Sequence, residues 1–261
     1  MRRKLALLMV GMLTAPAMAG LVDSRTAGGA AAVKDGVISP NEYNAGNSNK
    51  YLGGGAGFGG TLGGGAMYMN SVGGNLYLGF QPGNALNDNV VIHLDTRAGG
   101  QVDATMNDTG DPGRNLSSNL TRDTDDVFPI GILPDYSIVI GGFGIVTFEL
   151  TAGNTPNHLN FVDFDGTFTG NNPALAREYS LPLASIGNPS VVNFFVSYGS
   201  DTNFMSNESI PAEGFNLGSN PGFGTPTEPV LHDNYDQLVI PEPASIGLLG
   251  LVSLAAFRRQ R

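Results

Sequence analysis

Apolar residues recur at every second position in short runs closed off by glycine, and that rhythm confines the chain to β-sheets. In Asn75-Leu76-Tyr77-Leu78-Gly79-Phe80, Leu76, Leu78 and Phe80 share one face, and in residues 90–95 Val90, Ile92 and Leu94 do the same. Successive strand side chains point to opposite sides, so this spacing marks strands with one buried face. Residues 136–140, 145–150, 159–164, 191–198 and 235–240 carry further strand patterns. Turn formers such as Pro82-Gly83-Asn84, Gly141-Gly142 and Asp165-Gly166 separate them. Beyond a single helical turn at 184–186, no stretch of the body carries a convincing helical period. About eight to ten short, turn-punctuated strands predict an all-β fold, an antiparallel β-sandwich of jelly-roll or immunoglobulin-like type.

Residues 20–34 read as a loose leader of small residues, and residues 35–43 as the first short strand and turn. The sandwich is expected over 35–210, with a loop or tether and a last strand over 211–240. Residues 53–65 hold nine glycines in thirteen positions. Among them Gly55-Ala56-Gly57-Phe58-Gly59-Gly60 has the spacing of a phosphate-binding turn. No strand pattern precedes it and no helical pattern follows, so a surface loop or glycine-tolerant strand edge is the expectation.

The two ends are of another kind. Met1-Arg2-Arg3-Lys4 is basic, residues 5–13 are apolar, and Ala17-Met18-Ala19 offers an A-x-A site. That is a signal peptide over 1–19, handled by the Sec translocon and cut between Ala19 and Gly20. At the other end Pro241-Glu242-Pro243 precedes an uncharged segment, 244–257, and then Arg258, Arg259 and Arg261. The prolines break any preceding element, and the arginines hold that end on the cytoplasmic side during export. Fourteen residues at about 1.5 Å each give about 21 Å of helix against a ~30 Å hydrocarbon core. Bilayer thinning, snorkelling arginines and residues 238–240 reduce the shortfall.

This order of features over 241–261 resembles the PEP-CTERM sorting signal. The resemblance implies a short transmembrane helix as a temporary membrane anchor and an exosortase as processing partner. It further implies a Gram-negative bacterium that makes exopolysaccharide, with delivery to the cell surface or the biofilm matrix.

The chain carries 23 acidic and 13 basic side chains; three bases lie in the signal peptide, and three bases and one acid lie beyond Ile240. The body keeps 22 acids and 7 bases, a net charge near −15. That argues against nucleic acid or any polyanion as partner. The absence of cysteine removes disulfides, thiol nucleophiles and thiolate metal sites. The segment from Asp35-Gly36 to Glu42-Tyr43, with the Leu76-Tyr77-Leu78 strand, also resembles the carbohydrate-binding family 9 and DOMON-like sandwiches, whose members often bind sugars or haem.

No constellation for catalysis stands out, and a non-enzymatic role is expected. Asp108 and Asp111, and Asp123, Asp125 and Asp126, put hard oxygen ligands on loops and make Ca²⁺ the one candidate cofactor, with solvated turns as the alternative. Glu42, Glu149, Glu178 and Glu208 are available as carboxylates, and His93, His158 and His232 stand singly. Tyr43 and Tyr77, with Asn75, are candidates for stacking on and hydrogen-bonding a glycan such as exopolysaccharide; Tyr51, Tyr68 and Tyr136 are further candidates.

Overall fold

The structure is a computed structural model that describes residues 20–101, 108–119, 132–150, 159–200, 205–213 and 232–241. The signal peptide, Asp123, Asp125, Asp126, His158 and the sorting residues from Glu242 onward lie outside the described residues. In chain order the strands are β1 (Gly20–Thr26), β2 (Lys50–Leu52), β3 (Ala66–Val72), β4 (Asn75–Gln81), β5 (Asn89–Asp95) and β6 (Tyr136–Gly141). Then come β7 (Gly144–Glu149), β8 (Asn160–Asp165), β9 (Arg177–Pro182), β10 (Val191–Gly199), β11 (Met205–Ile210) and β12 (Asn234–Val239). One α-helix, α1 (Pro112–Asn119), lies between β5 and β6.

Two sheets face each other. The larger runs β1-β12-β10-β5-β6-β7-β8, with β11 also paired to β10; the smaller runs β2-β3-β4-β9. All neighbours are antiparallel except β1 and β12. The alternating residues form the shared core: Leu76, Leu78 and Phe80 of β4 meet Val90, Ile92 and Leu94 of β5 and Val192, Phe194 and Val196 of β10. Each such side chain, fully buried, contributes about 1.5–3 kcal/mol. Two buried tyrosines tie the sheets at opposite edges. Tyr51 of β2 donates its hydroxyl to the Gln237 carbonyl of β12 at 2.8 Å, and Tyr179 of β9 donates to Asp163 Oδ2 of β8 at 2.8 Å.

The outer faces are covered as well. Leu116 of α1 joins Val91, Val139, Val146, Phe148 and Phe195 on the back of the large sheet. On the back of the small sheet, residues 33–43 are pinned by carboxylates. Glu178 Oε2 accepts from the N–H groups of Asp35 (2.9 Å) and Gly36 (2.6 Å), and Glu42 accepts from those of Val33 (2.6 Å) and Ser39 (2.7 Å). Tyr43 lies across β4 at Gly79, where a Cβ would come within 2.6 Å of the tyrosine hydroxyl.

Several expectations change. Residues 35–43 form turns, and the first strand is β1, inside the expected leader. With β1 and β12 in the large sheet, the sandwich extends beyond 35–210 at both ends. Strands β2, β3, β9 and β11 and helix α1 are not among the sequence expectations. Covered on both faces, β3 buries Tyr68 and Asn70 as well as Met67 and Met69, so no one-sided alternation shows. The glycine-rich segment closes around Glu208 of β11, which is fully buried. Its carboxylate accepts from the N–H groups of Phe58 (2.9 Å), Gly60 (3.1 Å), Leu62 (2.7 Å) and Gly63 (3.2 Å). The loop with phosphate-turn spacing is thus an anion nest filled by the protein's own carboxylate.

Candidate functional site

Of the residues singled out for calcium, Asp108 and Asp111 meet an arginine, and Asp123, Asp125 and Asp126 lie outside the described residues. Asp108 Oδ2 and Asp111 Oδ2 both contact Arg114, at 2.9 and 3.1 Å, and Asp111 Oδ1 accepts the Arg114 N–H at 2.8 Å as the cap of α1. Burial pushes the Asp108 carboxyl up, but the N–H groups of Leu159 and Gly110 and the Arg114 guanidinium together hold it below its ordinary value. The guanidinium fills the place a cation would take, and no cluster of three metal-ligating side chains occurs among the described residues.

The glycan candidates are also placed differently from the expectation. Tyr43 is buried, so it offers no face for stacking. Tyr77 and Asn75 are half-buried on β4, with Tyr77 packed against the Tyr43 cluster, and Tyr68 and Tyr136 are buried. Tyr51 of this set lines a cavity, one that sequence reasoning did not single out.

That cavity is a cleft of about 510 Å³ at the β1/β2 edge of the sandwich. Asp23 and Arg25 come from β1, Lys50, Tyr51 and Leu52 from β2, Asp236 from β12, and Pro211 and Ala212 close one side. Because side chains alternate, Asp23 and Arg25 project together, and the Arg25 Nε donates to Asp23 Oδ2 at 2.8 Å while its guanidinium lies 5.2 Å from the centre of the Tyr51 ring. Asp236 is the unusual member. It is 2% exposed, and its Oδ1 has no hydrogen-bond partner among the described residues. Burial, with the neighbouring Asp23 charge, pushes its carboxyl up to about 7. A buried polar atom without a partner costs about 1–3 kcal/mol, which makes such a group lining a cleft a candidate binding position. Near neutral pH Asp236 can either donate or accept. With Arg25 and Asp23 beside it and an apolar wall opposite, the cleft suits a neutral, hydroxyl-rich ligand.

A second arrangement lies on the outer face of the large sheet. Ser197 Oγ is 2.7 Å from His232 Nε2, and His232 Nδ1 is 3.3 Å from Glu213 Oε1. The order of roles is that of a nucleophile, base and orienting acid. However, Ser197 is fully buried in mid-strand, paired with Val91 on one side and Ser209 on the other. Its His232 partner packs on Phe195 (4.6 Å between ring centres), which in turn stacks on His93 at 5.0 Å. Burial pushes His93 down to about 3, so it stays neutral. Nothing in the local sequence announced this relay, because its members lie 35 and 19 positions apart.

Among the described residues no helix is long and apolar enough to cross a membrane. Neither the curated proteins nor the solved structures compared with the chain give a match. Residues 239–261 match the PEP-CTERM protein-sorting motif. The match begins on the last residue of β12, and Ile240 still donates its N–H to the Ser190 carbonyl at 2.8 Å. The chain therefore carries the sorting motif of PEP-CTERM proteins, which implies recognition by an exosortase and export with transient anchoring at the membrane.

Proposed function

We propose that the mature protein, freed of its signal peptide, is a non-enzymatic component of the cell surface or extracellular matrix that holds a neutral saccharide of the exopolysaccharide in the cleft around Asp236. The observation that carries this reading is the buried, unpartnered Asp236 Oδ1 in a cleft lined by charges of both signs and by Tyr51. The sorting motif supports the address, and the acidic body leaves neutral glycans as suitable partners. Affinity electrophoresis through gels cast with dextran, galactomannan or arabinoxylan tests it. Wild-type protein is retarded by at least one of them, and D236N loses that retardation; free migration of the wild type in all three rejects the reading.

The Ser197–His232–Glu213 geometry favours a second reading, a secreted acyl hydrolase. Fluorophosphonate labelling of Ser197 in the native protein, abolished by Ser197→Ala, would establish it. No labelling is expected while β10 stays paired on both sides.

A further inference from the structure

The far edge of the large sheet carries a feature that the Asp236 cleft does not explain. β8 ends the sheet, and its register against β7 shifts at Thr147/Phe148. In a regular strand, residues three apart point to opposite faces. The shift sets Phe161 opposite Phe148 and Phe164 opposite Val146, so both rings emerge on the outer face. Together with Phe143 from the β6–β7 turn and the first turn of α1, they line a trough of about 410 Å³. Phe143, Phe161 and Phe164 are 41%, 59% and 50% exposed. Bulges at sheet edges re-aim side chains, and an edge strand that displays phenylalanine is an aggregation hazard unless something uses it.

We propose that this trough is a second saccharide-binding surface and that the protein is bivalent, bridging two neutral polysaccharide chains. The proposal rests on the reading of the Asp236 cleft as a saccharide site. Flat aromatic faces match the apolar C–H face of a pyranose ring, and the rim supplies hydrogen-bonding groups in Arg114 and Asp111, the latter's side chain 49% exposed. A body charge near −15 repels a second copy and an anionic surface alike, which leaves a neutral chain as the fitting occupant. β12 and β8 are separated by five strand spacings, about 24 Å at ~4.8 Å each. Asp236 faces the small sheet while the phenylalanines face away from it, so the two sites open in different directions. Two sites on one rigid body turn weak single contacts into avidity.

The experiment uses protein recovered from the producing cells, as wild type, D236N and the double variant F161A/F164A, with dextran, galactomannan or arabinoxylan and with oligosaccharides cut from them. Light scattering of wild type mixed with the polysaccharide that retards it shows growing particles. F161A/F164A, whose melting temperature stays within a few degrees of wild type, still binds the short oligosaccharide in calorimetry but forms no particles and loses at least tenfold in retardation by the long chain. Particles of unchanged size with F161A/F164A overturn bivalency and leave the cleft reading intact. Wild-type particles that form without polysaccharide, and vanish in F161A/F164A, overturn it in favour of a second copy in the trough. Absence of all saccharide binding by the wild type overturns both readings together.

Discussion

Buried carboxylates do most of the organising in this chain, each in a different way. Glu208 gathers four backbone N–H groups of the glycine-rich loop, so its removal leaves four donors without their acceptor. Glu208→Ala is expected to destabilise by about 3–5 kcal/mol in urea unfolding, and Glu208→Gln by less, since an amide oxygen still accepts. Asp236 acts through its charge. Its folded value of about 7 lies above its ordinary 3.8, so its contribution to stability is complete below pH 4 and is lost as the pH rises through 7. The loss is of order 4 kcal/mol. His93, held down at about 3, works in the opposite direction, its contribution fading as the pH falls from 6.5. Accordingly D236N melts above wild type at pH 8 and level with it at pH 4, as differential scanning calorimetry across that range will show. Neither carboxylate was legible beforehand. Glu208 sits in the polar run Ser206-Asn207-Glu208-Ser209, and its partners are about 150 positions away in sequence.

At the scale of elements, legibility followed whether one face carries an unbroken alternation of apolar residues. β4, β5 and β10 showed it on the face that meets the shared core and β7 on the face beneath α1, although in β5, β7 and β10 the opposite face is buried as well. β9 escaped notice because Arg177 and Glu178 occupy buried positions, serving the carbonyls of Gly170 and Leu175 and the N–H groups of Asp35 and Gly36. Helix α1 has a single large apolar residue, Leu116, too few for a helical period. Its signal was chemical: Asp111 as cap followed by Pro112 at the first helical position. The same aspartate invited a calcium reading because caps and metal loops draw on the same side chains. Asp111→Ala is expected to cost about 1 kcal/mol in thermal unfolding through the lost cap. Gly79→Ala would push a methyl group into the Tyr43 ring and cost about 1–3 kcal/mol, readable in the same melts.

Over the whole molecule, the C-terminal end of the chain was more legible than its middle. The sorting motif is a local string of residues, whereas strand order and the cleft depend on pairings between distant segments such as β1 with β12. The exposed phenylalanines were equally hidden, since only the register shift against β7 brings Phe161 and Phe164 to one side. One feature joins the legible end to the hidden middle. β12 lies inside the large sheet between β1 and β10, its Leu238 is fully buried, and the motif begins at Val239. The last strand of the folded body therefore runs straight into the motif, and an enzyme that recognises the motif works beside an intact β-sheet. Spare chain placed after Ile240 should speed release, and loosening of that last strand should set its pace.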